Sequence, residues 1–591
     1  MRTDPFSADR KRTLPVSIHN ADVAEAFEEI GDLLSIQGEN AFRIRAYRRA
    51  AQIVRSLPRE LAEMGGPDEY DALPGIGKDL AAKITELVGT GRLAALEKLR
   101  RRVPPGVREL LSLPGMGPVR VHALMAKLHI KSRDELRSAL SAGRLERLRG
   151  FGPALQERLR KALTDEAASD TAKRLPLSVA AQYAEPLRRY LASVPGVARV
   201  EIAGSYRRAR DTVGDLDVLV CAPAGVNVFS TLQRYPDLRE MTAAGTTKAS
   251  GVLRNGLRFD VRVVPKESFG AALQYFTGSK DHGIHVRRLA QERGLKLSEY
   301  GLYRGQRRLA GDTEEEVYEA LGLSWIPPEL REERGEVEAS EKRALPRLIE
   351  RADLKGDLHV HTNATDGHDS LEDMVTAARA QKLSYIAITD HAKYLGIVRG
   401  LDADRLAREC DTIDALNESL RGFTVLKGAE VDILEDGRLA LPDTVLAKLD
   451  VVVIAVHSHF ELPEAKQTAR VLRALERPQV SILAHPSGRL LNERAPLALD
   501  FDRILEAVHD RGCFLEVNGQ PLRLDLDDVH IKAARDRGVL LSLASDAHSG
   551  DQLAYLEDAV RQARRGWASK ENVLNTRPLS EVRKRLQGAT R

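Results

Sequence analysis

The sequence predicts a multidomain protein: an α-helical front, an α+β middle and a C-terminal parallel β/α barrel of seven strands. Three observations predict it. A Gly-x-Gly turn between helical stretches occurs three times, at Gly75/Gly77, Gly115/Gly117 and Gly150/Gly152. An aliphatic strand near residue 215 carries two carboxylates. From residue 353 seven short apolar runs alternate with helical stretches, and most end in His, Asp or Glu. A chain of 591 residues is too long for one core. The composition shifts divide it into 1–100, 101–175, 176–265, 266–335, a helical charged linker at 336–352, and 353–591.

Composition is that of an ordinary globular chain. No apolar run reaches the ~18 residues a membrane helix needs. Met1-Arg2-Thr3-Asp4-Pro5 lacks the charged-then-apolar pattern of a signal peptide. The three cysteines, Cys221, Cys410 and Cys513, are far apart, which predicts a reducing cytoplasm. Net charge is +4 but unevenly spread. Residues 1–170 carry about +5 and residues 353–591 about −6. A basic front suits a nucleic-acid backbone, and an acidic, histidine-bearing back suits metal ions.

Residues 18–60 read as helical, with Arg43, Arg45, Arg48 and Arg49 on a basic face. A solvated helix face would look the same, but the turns that follow favour a nucleic-acid contact. Leu73-Pro74-Gly75-Ile76-Gly77, Leu113-Pro114-Gly115-Met116-Gly117 and Leu148-Arg149-Gly150-Phe151-Gly152 each precede a helical stretch. They resemble helix-hairpin-helix motifs. The glycines make a tight hairpin, and the next helix begins with free N–H groups that can hold a DNA phosphate without reading sequence. One such turn is only a connection, whereas three form an internal repeat.

Residues 171–186 read as a linker into the middle region, where strands are expected at 198–203, 216–221 and 257–264. Asp215 and Asp217 are two residues apart, so strand alternation puts them on one face. A lone Asp-x-Asp is usually a solvated strand end. Here Gly204-Ser205-Tyr206-Arg207-Arg208 precedes it, and Asp260 lies on a later strand between Arg258 and Arg262. Three carboxylates supply hard oxygen ligands for divalent metals, and the Gly-Ser turn offers N–H groups to phosphate. Tyr275-Phe276-Thr277-Gly278-Ser279 then leads into a helix from Ile284.

In that order and spacing, these motifs resemble a family X DNA polymerase over residues 18–335. The resemblance implies a nucleotidyltransferase palm with a thumb, gapped or nicked double-stranded DNA, deoxynucleoside triphosphates, and Mg²⁺ or Mn²⁺. It implies that Asp215, Asp217 and Asp260 are the catalytic metal ligands. Gly204, Ser205, Arg208 and Gly214 would grip the triphosphate, and Tyr275, Phe276 and Gly278 would line its sugar and base. Lys83 falls where repair members carry a deoxyribose-phosphate lyase lysine. Asp79 stands where those lyases have a basic residue, and Gly283 where most relatives have an Asn.

Ten of the 15 histidines lie from His359 onward. The runs end in Asp357-Leu358-His359-Val360-His361, Thr389-Asp390-His391, Glu430, His457, His485 and Asp546-Ala547-His548, with Asp366 after the first. A single His at a strand end is ordinarily structural. Six, with Asp and Glu at successive strand ends, converge on one barrel face and suit two or three Mn²⁺, Zn²⁺ or Fe²⁺ ions. The series resembles a polymerase-and-histidinol-phosphatase (PHP) domain over 353–575. It implies metal ligation by His359, His361, Asp366, His391, Glu430, His457, His485, Asp546 and His548. It also implies a 3′–5′ exonuclease, with apurinic-site endonuclease or 3′-phosphatase activity in some members. His368, His459, His509 and His530 fall outside the pattern.

Together these motifs predict a monomeric enzyme that fills short gaps in DNA repair and trims 3′ ends. Gly-Ser-x-Arg-Arg with Asp-x-Asp also marks nucleotidyltransferases of RNA or small molecules, here with a separate small-molecule phosphatase. The three hairpins and the Tyr-Phe-Thr-Gly-Ser segment speak against that.

Overall fold

The computed structural model describes residues 18–73, 75–146, 148–164, 174–392 and 400–589. Pro74 of the first hairpin, and 171–173 of the expected linker, lie outside these residues.

The front is a tandem of short helices around one apolar core. Asn20–Ile36 packs on Ala41–Ser56, whose Asn40 side chain caps it by accepting from the Phe42 N–H at 2.8 Å. The Gly-x-Gly turns each end just before a helix: Lys78–Thr90, Pro118–Leu128 and Pro153–Thr164. Asn20–Ile36 also abuts the middle region, where Tyr183 Oη donates to Asp22 Oδ1 at 2.9 Å.

The expected linker at 171–186 is corrected from residue 177 onward: Leu177–Ala192 is a helix. Pro186 inside it costs about 3 kcal/mol. Burial of Val179, Ala180, Tyr183, Ala184, Leu187 and Leu191 on one face outweighs that. The helix packs on a five-stranded sheet in the spatial order Arg199–Ile202, Asp215–Cys221, Arg258–Val264, Lys248–Leu253, Leu238–Ala244. Only the pair 215–221 and 258–264 is parallel. Helices Phe269–Thr277 and Lys280–Glu292 follow, then an antiparallel sheet of Lys296–Ser298, Gly301–Arg304 and Arg307–Ala310, and helix Glu314–Ala320.

Of the expected helical linker at 336–352, only Glu336–Glu341 is α-helical. The segment is packed rather than loose: Val337 and Leu348 belong to the thumb core, and Ile349 to the barrel core.

The last region is a parallel sheet of seven strands in sequence order: Gly356–Val360, Tyr385–Ile388, Thr424–Asp432, Val451–Ala455, Ile482–Leu483, Phe514–Asn518 and Leu541–Ala544. The first and last strands nearly close it. Val360 bridges Ala547, and His361 N donates to Ala547 O at 2.8 Å. Asp357 accepts from Ser545 N at 3.2 Å and Oγ at 2.5 Å. Helices such as Leu371–Ala380, Ala403–Ser419 and Phe501–Arg511 cover the outside. Among the described residues, no helix is long and apolar enough to cross a membrane.

Candidate active sites

The parallel register sets Asp217 directly beside Asp260, while Leu216 and Val218 point into the core. Neighbouring strands are about 4.8 Å apart, so the two carboxylates share one edge of the sheet. Burial, and then the charges of Asp215 and Asp260, push the Asp217 carboxyl up to about 6. Crowded carboxylates with hard oxygens are a donor set that a divalent cation relieves. Asp260 is held by Lys248 Nζ at 2.8 Å and by Ser250 Oγ, which donates at 2.5 Å. Those contacts outweigh its burial and keep it below the usual carboxylate range.

Asp215 and Asp217 open onto a cavity of about 570 Å³ also lined by Gly204, Ser205, Arg208, Tyr275, Phe276 and Gly278. Gly204 has φ +61°, and a Cβ there would lie 2.3 Å from Asp217 Oδ2, so only glycine fits this turn. Gly214 is the exception among the expected triphosphate residues. It does not line the cavity but backs Arg174, which does. Sequence reasoning missed the other cations lining it, Arg174, Arg210, Lys280 and Arg287. They come from separate elements and share no local motif. Arg287 lies over the Tyr275 ring at 5.5 Å, and Gly283 leaves the space beside it.

The barrel mouth gathers every expected ligand. Glu430 is central: His391 Nδ1 is 3.0 Å, His457 Nε2 3.2 Å, His485 Nε2 2.9 Å, His359 Nε2 3.5 Å and His361 Nε2 3.6 Å from its oxygens. Asp546 Oδ1 is 3.3 Å from His361 Nε2. Asp366 Oδ2 lies 3.5 Å from His391 and 3.6 Å from His548. Three ligand groups form within this cluster: His361/Asp366/His391/His548, His359/His361/Asp546 and His391/Glu430/His457. Nε2 of both His359 and His361 is buried without a hydrogen-bond partner. Orphaned imidazole nitrogens aimed among carboxylates fit a metal.

The shifts follow the same crowding. Burial would lower His457 and His548, but Glu430 and Asp432 raise the first to about 9, and Asp366 and Asp546 the second to about 9. Burial and the neighbouring His548 push His361 down, which favours the neutral imidazole a metal would need. Outer partners that the sequence did not flag orient these side chains. Glu516 accepts from His359 Nδ1 at 2.7 Å, Asp432 from His457 Nδ1 at 2.9 Å, and Asn518 Nδ2 donates to Asp546 Oδ2 at 3.0 Å. Of the histidines left out, His459 and His509 are about half exposed, and His530 bonds Asp527. His368 sits near the mouth, where its N–H donates to His548 O at 2.7 Å.

In the hairpins, Gly75, Gly115 and Gly150 have φ +82°, +78° and +93°, the left-handed region glycine favours. Gly77 and Gly117 are N-caps with nothing within 4 Å of a notional Cβ, so their helix starts are open to a phosphate. A Cβ at Gly152 would also meet nothing within 4 Å. Lys83 Nζ is engaged by Asp79 Oδ1 at 2.5 Å.

The fold and sites define a class: a palm and thumb carried on DNA-binding hairpins and joined to a divalent-metal phosphoesterase barrel. Comparison with known proteins agrees. Residues 18–93 match the helix-hairpin-helix domain, 107–165 the SAM-like helix-hairpin-helix tandem, 174–289 the DNA polymerase beta palm, 272–332 the DNA polymerase beta thumb, and 357–520 the PHP domain. The DNA polymerase/3′-5′ exonuclease PolX of Bacillus subtilis is 37% identical over 572 residues, 96% of this chain and 99% of that one. DNA polymerase lambda of Rattus norvegicus is 26% identical over 53% of this chain and 56% of its own length. The probable phosphatase TTE1963 of Caldanaerobacter subterraneus is 28% identical over 39% of this chain and 93% of its own. The chain belongs to the PolX family, family X DNA polymerases fused to a C-terminal PHP domain.

Proposed function

We propose that this protein fills short gaps in DNA, adding deoxynucleotides at a primer 3′ end in its palm and trimming 3′ ends at its barrel mouth. The observation that carries it is the coexistence on one chain of two separate carboxylate-centred sites, with hairpin N-termini open for duplex phosphates. That tandem disfavours a small-molecule nucleotidyltransferase. Divalent ions, Mg²⁺ or Mn²⁺ in the palm and two or three of Mn²⁺, Zn²⁺ or Fe²⁺ in the barrel, would supply charge neutralisation and Lewis-acid polarisation of the phosphates.

The chain's own residues do the rest. Gly204, Ser205 and Arg208 bind the triphosphate, Tyr275 and Phe276 bound the nucleoside, and Asp215 and Asp217 hold the ions. Asp260, kept ionised by Lys248 and Ser250, helps to activate the primer hydroxyl. In the barrel, His359, His361, Glu430 and Asp546 are the central ligands. Arg523, 3.9 Å from Asp546, offers positive charge to the scissile phosphate. Lyase chemistry at Lys83 requires its ion pair with Asp79 to open first. The enzyme works as a cytoplasmic monomer.

Gapped primer–template DNA with Mn²⁺ tests this. Asp217→Ala abolishes extension and leaves 3′ trimming intact. His359→Ala with His361→Ala does the reverse, with the fold checked by melting. Extension by Asp217→Ala at the wild-type rate, or trimming by the folded double variant, would refute the assignment.

A further inference from the structure

Arg565 ends the barrel helix Leu556–Arg565, yet its side chain leaves the barrel and is buried at the junction of palm and thumb. A buried guanidinium without partners is strongly destabilising, so its contacts are specific. Its Nη1 donates to the backbone carbonyl of Arg208 at 2.6 Å and to Glu332 Oε1 at 3.2 Å. Its Nη2 donates to Asp528 of the barrel, which also pairs with Arg334 at 2.9 Å. The same Glu332 oxygen accepts from Arg208 Nε at 3.0 Å, and the other from Arg210 at 3.4 Å. Four arginines therefore share two carboxylates at the edge of the nucleotide cavity.

Arg208 is the side chain assigned to the triphosphate, and Glu332 competes with phosphate for it. Arg565 draws on the Glu332 charge and holds the carbonyl of Arg208, which caps the Gly204–Arg207 turn. We infer that Arg565, supplied by the barrel, is a positioning residue of the polymerase triphosphate site: by sharing Glu332 Oε1 with Arg208 it loosens the hold of Glu332 on Arg208. This rests on the palm cavity taking a deoxynucleoside triphosphate. Without Arg565, the whole Glu332 charge bears on Arg208 and Arg210, and the incoming phosphates must displace a stronger competitor. That weakens ground state and transition state alike, so KM rises and kcat holds.

The test uses the full chain, single-nucleotide-gapped DNA with dNTP, and in parallel a 3′-trimming assay. If the wild-type chain adds no nucleotide, the underlying assignment fails before any variant is compared. Otherwise Arg565→Met raises KM for dNTP about tenfold with kcat and trimming within about twofold of wild type. Adding Glu332→Gln to Arg565→Met removes the competitor and recovers most of that KM. Arg565→Lys, which keeps a cation but loses the fork, raises KM about threefold and serves if the methionine variant does not fold. Unchanged KM in the folded variants overturns the inference. So does a KM that Glu332→Gln fails to recover, or a parallel fall in both activities and melting temperature, which marks a merely structural arginine.

Discussion

Glu314 is 4% exposed and still ionised, because two arginines reach it. Arg331 Nη1 lies 2.6 Å from Oε1, and Arg207 Nη2 2.7 Å from Oε2. Arg207 precedes Arg208, which lines the palm cavity, so this carboxylate ties the thumb to the Gly-Ser turn. Burial alone would raise its carboxyl; the arginines outweigh it and bring it to about 2. The sign follows from linkage. The folded value lies below the usual ~4.3, so the stabilisation is complete above about pH 5 and lost as pH falls through about 2. Glu314→Gln should cost about 3 kcal/mol or more at pH 7 by leaving buried Arg331 poorly paired, and the deficit should shrink towards pH 2. Melting of both proteins at pH 7 and pH 3 measures it, and an equal deficit at both would mean that charge is not what matters here. This pair was not legible in the sequence. Glu314 and Arg207 are 107 residues apart, and nothing local marks them as partners.

The hairpin is the element whose sequence pattern and geometry agree most closely, and the structure splits its two glycines by role. The first, as in Gly115, has φ +78° and would drive a Cβ to 2.7 Å from Leu155 Cδ1. Substitution there strains the fold and says little about DNA. The second is an extended N-cap: Gly77 at φ −91°, ψ 174° and Gly117 at φ −80°, ψ 165°. Asp is a preferred residue in that conformation, and its charge suits a helix N-terminus. Gly77→Asp with Gly117→Asp should therefore leave the melting temperature unchanged or raised while weakening gapped-DNA binding about tenfold or more, since the new carboxylates occupy the phosphate sites. Unaltered affinity at moderate salt would make the hairpins purely structural. These turns, the Asp-x-Asp strand and the ligand-bearing strand ends were legible because each is written in consecutive residues with a fixed period. The helix Leu177–Ala192 was not, because Pro186 interrupts its pattern and only the sheet beneath it explains its survival. Glu516 and Asp432 were missed for a related reason. A buried carboxylate on a strand becomes an orienting partner only when the barrel brings a histidine to it.

At the scale of the whole molecule, the barrel is docked by buried polar contacts rather than tethered. Asp211 of the palm meets Arg489 at 2.9 Å and accepts from Gln562 at 3.0 Å, and Ile349 N donates to Ala568 O at 2.9 Å. Arg489 in turn bonds the carbonyls of Arg523 and Leu524, and Arg523 lies beside Asp546 of the barrel mouth. The barrel's stability is therefore felt at the palm, and the His/Asp/Glu cluster at its mouth is the most heavily charged part of its interior. The cluster sets Asp366, Glu430 and Asp546 among six histidines, with imidazole nitrogens buried and unpaired. Ions that bind only the folded cluster stabilise it by mass action, about 2.7 kcal/mol at a hundredfold excess over Kd. For a domain of this size that is a rise of roughly 5–10 °C in melting temperature. Mn²⁺ added to chelator-treated protein should produce that rise in wild type and in Asp217→Ala, and EDTA should reverse it. His359→Ala with His361→Ala should show little of it, because two of the convergent ligands are gone. An equal rise in the histidine variant would place the stabilising ions outside the barrel mouth. A rise lost in Asp217→Ala would place them in the palm.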